Sequence, residues 1–251
     1  MTVEILATCR NTKLIEMTRL VFRTIRVGFP SAKIKVWGNG LNPLVEELIA
    51  RDVDAIGGAF SNFPEQRHDE WFQKLLWMNM QPYVVCDTDM VFYDEVQSWV
   101  FQHPWAGAFQ PEYLDPWSHT VHRPRMHTSL MFIRPDEIRD RMLRFDGRFK
   151  KAPIFPGTIN FIGQQLQPVM TEAGTVVHFA DTGANLYQCI GGDAFSEAQL
   201  DAFAHLHAGT WSDLLNLPEV TELHAEILKD PNVARGIWRR QREFYEKAAP
   251  K

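Results

Sequence analysis

Apolar and polar positions along the first ~90 residues change rhythm several times, between short apolar runs and helical spacing. Glu4–Cys9 is a short apolar run ending in Thr8-Cys9-Arg10-Asn11-Thr12, whose polar side chains offer N-caps for a helix. From Lys13 to about Val27, Leu14, Met17, Val21 and Ile25 share one helical face, and Gly28-Phe29-Pro30 stops the run. Lys33–Trp37 predicts a second strand running into Gly38-Asn39-Gly40, a turn where glycine lets backbone approach a ligand. Asn42-Pro43 opens a second helix, a cap followed by Pro in the first turn, and this helix carries Leu44, Leu48 and Ile49. Asp54–Gly58 predicts a third strand. Arg67–Met80 predicts a third helix with Trp71, Leu75 and Met78 on one face. Strand alternating with helix predicts a parallel sheet with helices on both faces.

The next stretch, Tyr83-Val84-Val85-Cys86-Asp87-Thr88-Asp89-Met90-Val91-Phe92, is an apolar run interrupted by two carboxylates at i and i+2. The Val-rich run reads as a strand buried on both faces. In extended chain, residues two apart point the same way, so Asp87 and Asp89 project together from the strand's end. Like charges side by side are costly to bury unless a cation sits between them. Hard oxygen ligands suit Mg²⁺ or Mn²⁺, ions that complete their shell with substrate phosphates. The carboxyl end of a central strand is also where open α/β sheets bind ligands. Farther on, Trp105–Phe109 and Thr128–Ile133 predict strands separated by a long loop, Gln110–Met126, crowded with Pro, Trp, His and Arg. Pro135–Arg144 and Asn160–Glu172 predict helices, Thr175–Phe179 a last strand, and the chain beyond Ser212 is helical and polar. The pattern predicts one domain over residues 1–211 and a helical extension over 212–251.

Composition narrows the class. The 251 residues are 45% hydrophobic and 23% charged, ordinary for a globular chain with a sizeable core. A net charge of −5 argues against a nucleic-acid-coating surface. The three cysteines, Cys9, Cys86 and Cys189, show neither a disulfide framework nor zinc spacing, which points to a reducing compartment. No basic and apolar leader opens the sequence, and no apolar run approaches the ~20 residues that span a bilayer. These features predict a cytoplasmic protein without a transmembrane segment.

The order of motifs resembles the GT-A-fold glycosyltransferases. The first half is similar to the family 2 type, the second to metal-dependent sugar-nucleotide transferases with a C-terminal His ligand. Thr8-Cys9-Arg10-Asn11 stands where such enzymes begin their nucleotide pocket, and Lys35-Val36-Trp37-Gly38-Asn39-Gly40 where they carry a strand ending in Asp-Asn-Gly. Arg67-His68-Asp69-Glu70-Trp71 opens the helix before the acidic strand, and Asp87-Thr88-Asp89 matches their Asp-x-Asp motif. His127-Thr128-Ser129-Leu130-Met131-Phe132-Ile133-Arg134-Pro135 resembles the apolar strand after their acceptor loop, and His205-Leu206-His207-Ala208-Gly209-Thr210 their late His motif. The resemblance covers roughly residues 3 to 211. It implies an α/β fold of GT-A (Rossmann-like) type, a mixed, mainly parallel sheet flanked by helices with a C-terminal helical tail.

It also implies an activity, the transfer of a hexose-type sugar from a nucleoside diphosphate-sugar, UDP or GDP, to an acceptor hydroxyl. The acceptor would be a glycan, a lipid-linked glycan or a small molecule. Self-association into a homo-oligomer is a further expectation. In that frame Asp89 binds Mn²⁺ or Mg²⁺ bridging the donor diphosphate, and Asp87 reaches the metal or the ribose. His207 is the second kind of ligand, with His205 as the alternative. Thr210-Trp211 follows where the family often has Lys. Thr8, Arg10, Asn11, Asn39, His68 and Thr88 line the nucleotide side. An inverting reaction needs a carboxylate base, for which Glu112, Asp115 and Asp181 are candidates. A retaining relative often carries an acid–Gln pair where this chain has Gly163-Gln164-Gln165. The rival readings are a haloacid-dehalogenase-like phosphatase, a nucleotidyltransferase, and a nucleotide-sugar or carbohydrate-binding protein impaired in catalysis.

Overall fold

The structure is a computed structural model, and it describes residues 1–9, 12–65, 71, 74–76, 78–110, 113–114, 121–122, 125–138, 192–206 and 218–237. The apolar rhythm of the N-terminal third becomes β1 (Thr2–Ala7), α1 (Thr12–Gly28), β2 (Lys33–Asn39), α2 (Pro43–Ala55) and β3 (Ala59–Phe63). Both sheet contacts here are parallel, Val3 beside Ile34 and Val36 beside Phe60. Val3 and Ile5 are sealed from solvent, as expected of an inner parallel strand. Leu14, Met17, Val21 and Ile25 are all buried, so the helical stripe of α1 is its core face. In α2 the Asn42 side chain accepts hydrogen bonds from the Leu44 and Val45 amides, which satisfies orphan donors of the first turn.

Two expectations fail in this third. Asp54 and Ala55 belong to the end of α2, not to a strand, because Val53 continues the buried face begun by Ile49. Gly57, at φ 65, reverses the chain, and the third strand starts only at Ala59. Leu44 is 82% exposed, since it lies in the first turn of α2, away from the buried Ile49–Val53 stripe.

Then come β4 (Tyr83–Cys86), β5 (Met90–Phe92), β6 (Trp105–Gln110), β7 (Tyr113–Leu114), β8 (Val121–His122), β9 (Arg125–Ile133), β10 (Asp193–Ala194), α3 (Glu197–Asp201), β11 (Phe203–His205) and α4 (Pro218–Lys229), with a 3₁₀ turn at Pro231–Ala234. Among the described residues, seven strands are hydrogen-bonded in the order β10-β6-β9-β4-β1-β2-β3. The sheet is mixed and mostly parallel. Trp71 and Leu75 are buried as the helical pattern requires, whereas Met78 is 62% exposed and Leu76 is buried. Part of the long loop after β6 forms a short antiparallel ladder, with Tyr113 opposite His122. The predicted helix at Asn160–Glu172 and strand at Thr175–Phe179 lie outside the described residues.

The acidic stretch is not one strand. β4 stops at Cys86, Thr88 and Asp89 turn, and β5 leaves the seven-stranded sheet to pair antiparallel with β11. The turn leaves Asp87 partly exposed, while Asp89 stays buried.

The chain divides into two compact units. One comprises Met1–Glu65, Val85–Val100 and the described part of Ser196–Arg240; the other takes the described residues of Gln66–Val84 and Phe101–Phe195. Within the first, Glu4 is fully buried, and its carboxylate accepts from Trp37 Nε1 at 2.7 Å and Lys35 Nζ at 3.3 Å. In the second, Phe101, Phe132 and Phe195 form an aromatic cluster with centroids 5.0–6.0 Å apart.

Candidate metal centre

Three side chains converge where β5 meets β11. The register pairs Ala204 with Val91 and His205 with Met90, and the Leu206 amide donates to the Asp89 carbonyl at 2.9 Å. That last bond ties the backbone next to His205 to the backbone of Asp89. His205 Nε2 consequently lies 3.1 Å from Asp89 Oδ1 and 3.9 Å from Asp87 Oδ2. One ligand-type atom from each residue falls within 4.8 Å of the others. The carboxylates therefore do converge, but through a turn and not through the alternation of an extended strand.

The surroundings raise the electrostatic stakes. The side chains of Asp89 and His205 are 1% and 5% exposed, that of Asp87 24%. No hydrogen-bond donor among the described residues reaches Asp89 Oδ2, although that oxygen is buried. A buried anionic oxygen without a donor is costly, and a cation would relieve it. Burial, and then the Asp89 charge, push the Asp87 carboxyl up to about 7, with His205 pulling the other way. Burial lowers the His205 imidazole, but the two carboxylates outweigh it and hold it above its ordinary value. Burial, reinforced by both Asp charges, holds the Cys86 thiol far above its usual range, so it stays neutral. Two carboxylates and an imidazole form a donor set suited to Mn²⁺ or Mg²⁺. Asp87, Asp89 and His205 fit a metal site.

The first unit also holds a cleft of about 420 Å³ lined by Cys9, Asn39, Gly40, Leu41, Asn42 and Glu65. Val91 packs with Met17 and Leu20 of α1, while Phe92 lies against Gly28 at that helix's end. Asp89 therefore lies toward the start of α1, the end at which β1 hands over to the helix through Cys9. The carboxylates follow the carboxyl end of β4, the strand next to β1 in the sheet, and the cleft draws on Cys9, just past the carboxyl end of β1. Asn39 Nδ2 donates to Thr8 Oγ1 at 3.4 Å, joining the ends of β1 and β2, and Gly40 adopts φ 67 at the rim. Burial raises the Cys9 thiol, a shift the Thr18 hydroxyl partly offsets, so this wall is uncharged too. Among the described residues, no Lys, Arg or His lines the cleft.

Of the residues singled out in the sequence, Asp87, Thr88, Asp89, Thr8 and Asn39 are described, and Thr88 is buried beside the carboxylates. Arg10, Asn11, His68, Glu112, Asp115, Asp181 and His207 lie outside the described residues. Among the described residues His205, the named alternative to His207, stands against the Asp pair. Its signal in the sequence was the apolar Phe203-Ala204 before it, which makes it the end of a strand. Glu65, Leu41 and Asn42 were missed as cleft residues, because nothing in their spacing marks a wall.

No family model matches the chain, and no curated protein matches it in sequence. Solved structures do. A protein from Bacillus anthracis assigned as a glucose-1-phosphate thymidylyltransferase, solved with a sucrose, superposes with a TM-score of 0.52 at 8% identity over 91% of this chain and 95% of its own. The fold is shared. It is of GT-A, Rossmann-like type, and two further solved structures superpose less closely. The glycosyltransferase GlyE of Streptococcus pneumoniae TIGR4 aligns at TM-score 0.48 and 8% identity over 88% of this chain. The galactosyltransferase LgtC, solved with donor and acceptor sugar analogs, aligns at 0.48 and 10% over 79% of this chain and 74% of its own. The chain spans about half of GlyE, 51%.

Proposed function

We propose that this protein is a metal-dependent glycosyltransferase that moves a sugar, of hexose type, from a nucleoside diphosphate-sugar to an acceptor hydroxyl. The observation that carries the reading is the Asp87–Asp89–His205 cluster, with its buried, donor-less Asp89 Oδ2, just past the carboxyl end of β4 in a GT-A-type sheet. In this reading Asp89 and His205 hold Mn²⁺ or Mg²⁺, with Asp87 as the third, more exposed ligand and His207 following in the same motif. The bound ion neutralises charge on the leaving diphosphate. The cleft lined by Asn39 and Glu65 takes the nucleoside, UDP or GDP type, with Thr8, Arg10, Asn11 and His68 completing it. Glu112, Asp115 or Asp181 supplies the carboxylate base if the reaction inverts. The protein acts in the cytoplasm, without nucleic acid, on a glycan, lipid-linked glycan or small-molecule acceptor, and forms a homo-oligomer.

The test is thermal unfolding against a panel of nucleoside diphosphates, each with Mn²⁺ and with chelator. A ligand at ~100 times its dissociation constant adds about 2.7 kcal/mol to the native state. One base is expected to stabilise only with metal, and Asp89→Ala to abolish the effect while leaving the fold intact. Retained metal-dependent stabilisation in Asp89→Ala would sink the site assignment.

A second reading is favoured by the 0.52 superposition on the Bacillus anthracis protein: a nucleotidyltransferase joining a nucleoside triphosphate to a sugar phosphate. Pyrophosphate release from those two substrates would select it. Nucleoside diphosphate release from a sugar nucleotide selects the transferase.

A further inference from the structure

Asp89 immediately precedes β5 and His205 ends β11, and these two strands form a two-stranded ladder outside the seven-stranded sheet. An isolated two-stranded ladder is marginally stable in water, so something else must hold its geometry. Two supports are visible. Val91, Ala204 and Leu206 are buried in one cluster with Met17 and Leu20 of α1 and Ile227 and Ala234 of the C-terminal segment. The second support is at the ladder's far end. There the Tyr93 and Asp94 amides both donate to the Ala202 carbonyl, at 2.8 and 3.2 Å.

Tyr93 then couples that end to the C-terminal segment. Its hydroxyl donates to the Pro231 carbonyl at 2.7 Å, and the Arg235 guanidinium lies 4.4 Å over its ring. Arg235 Nη1 is 3.8 Å from Asp94 Oδ2, but both side chains are half-exposed or more, so the ring contact matters more than the ion pair. The 3₁₀ turn that presents Pro231 and Arg235 is itself capped, with the Asp230 carboxylate accepting from the Asn232 amide at 3.0 Å.

We propose that Tyr93 and Arg235 are positioning residues for the metal centre, clasping Pro231–Arg235 against the β5–β11 ladder and so setting the approach of His205 to Asp87 and Asp89. Neither touches the centre. Tyr93 is four residues beyond Asp89, about 13 Å along extended chain. A ladder fixed at both ends holds two carboxylates and an imidazole in one arrangement. Released at the far end, it samples many, and a cation must then select the competent one. The inference rests on the metal reading above.

The experiment is an Mn²⁺ titration of the full chain, following free Mn²⁺ by electron paramagnetic resonance well below the unfolding temperature. Tyr93→Phe and Arg235→Ala are expected to weaken Mn²⁺ binding about three- to tenfold, within the range of remote coupling effects. Arg235→Lys, which keeps a cation over the ring, should recover part of the loss. Val53→Ala, a cavity in the α2 core, should lower the unfolding temperature and leave Mn²⁺ affinity unchanged. Wild-type affinity in both Tyr93→Phe and Arg235→Ala overturns the proposal, as does an equal loss in Val53→Ala. Should Arg235→Ala not fold, Tyr93→Phe, which removes a single hydroxyl, carries the test. A wild-type chain that takes up no Mn²⁺ overturns the metal centre itself, an outcome distinct from a centre that binds but ignores Tyr93.

Discussion

Asp87 carries a carboxyl raised from 3.8 to about 7 by burial and by its neighbour Asp89, and His205 is held above 6.5 by both carboxylates. An acid with a raised folded pKa keeps its proton in the native state while the unfolded chain has lost it. Native protein then binds more protons across that window, and stability falls as pH rises. A histidine with a raised folded pKa has the same sign, its contribution being present at low pH and lost as pH climbs through the folded value. The metal-free protein should therefore lose stability between about pH 4 and about pH 7, with the histidine's loss added above 6.5. Asp87→Asn should flatten the acidic part of that slope, and Mn²⁺ should reverse it by replacing the proton. Urea unfolding at a series of pH values, with chelator and with Mn²⁺, checks this; stability rising with pH in chelator would contradict it. The Asp pair was legible in the sequence because two charges inside an apolar run need a reason. The approach of His205 to that pair was not, because it depends on where β11 ends and which hydrogen bond closes the ladder.

At the scale of elements, the misplaced pieces share one cause. The pattern of β4 and β5 looked continuous because both are apolar, yet they belong to different sheets, and only the pairing of β5 with β11, far along the chain, separates them. Likewise Asp54–Gly58 looked like a strand until Val53 was seen to share the buried face of α2. Helix α1, by contrast, was readable in full because its stripe and its stop are both local. That stop is tight. A Cβ on Gly28 would fall 2.5 Å from Phe92 Cδ1, and the Gly28 carbonyl accepts from the Val96 and Gln97 amides at 2.9 and 3.0 Å. Phe92 is buried edge-on against Phe29, with little room to yield. Gly28→Ala is expected to cost about 1–3 kcal/mol by overpacking, read from urea unfolding, with Phe92→Leu in the same chain recovering part of it. A neutral or stabilising Gly28→Ala would mean that β5 shifts freely, against the close packing described.

Across the whole molecule, the sheet's order could be anticipated only as a class. Parallel strands with crossover helices follow from alternation, whereas the return of β11 to β5 is a long-range pairing that no local pattern announces. That pairing has a measurable consequence, because the candidate ligands come from two distant parts of the chain. A cation that needs all three binds only while the ladder is closed, so it slows every opening that separates β5 from β11. The Leu206 amide, bonded to Asp89, and the Tyr93 amide, bonded to Ala202, report on the two ends of that ladder. At ~100 times the Mn²⁺ dissociation constant their hydrogen exchange should slow by up to ~100-fold, the factor by which bound metal disfavours the open form. In Asp89→Ala the same addition should leave both rates unchanged. If Mn²⁺ binds and both amides exchange as before, the ion is held without β11, and His205 is not its ligand. If Leu206 slows while Tyr93 does not, the ladder frays from its far end without loss of metal, and the Tyr93 clasp carries less of the site's geometry than its contacts imply.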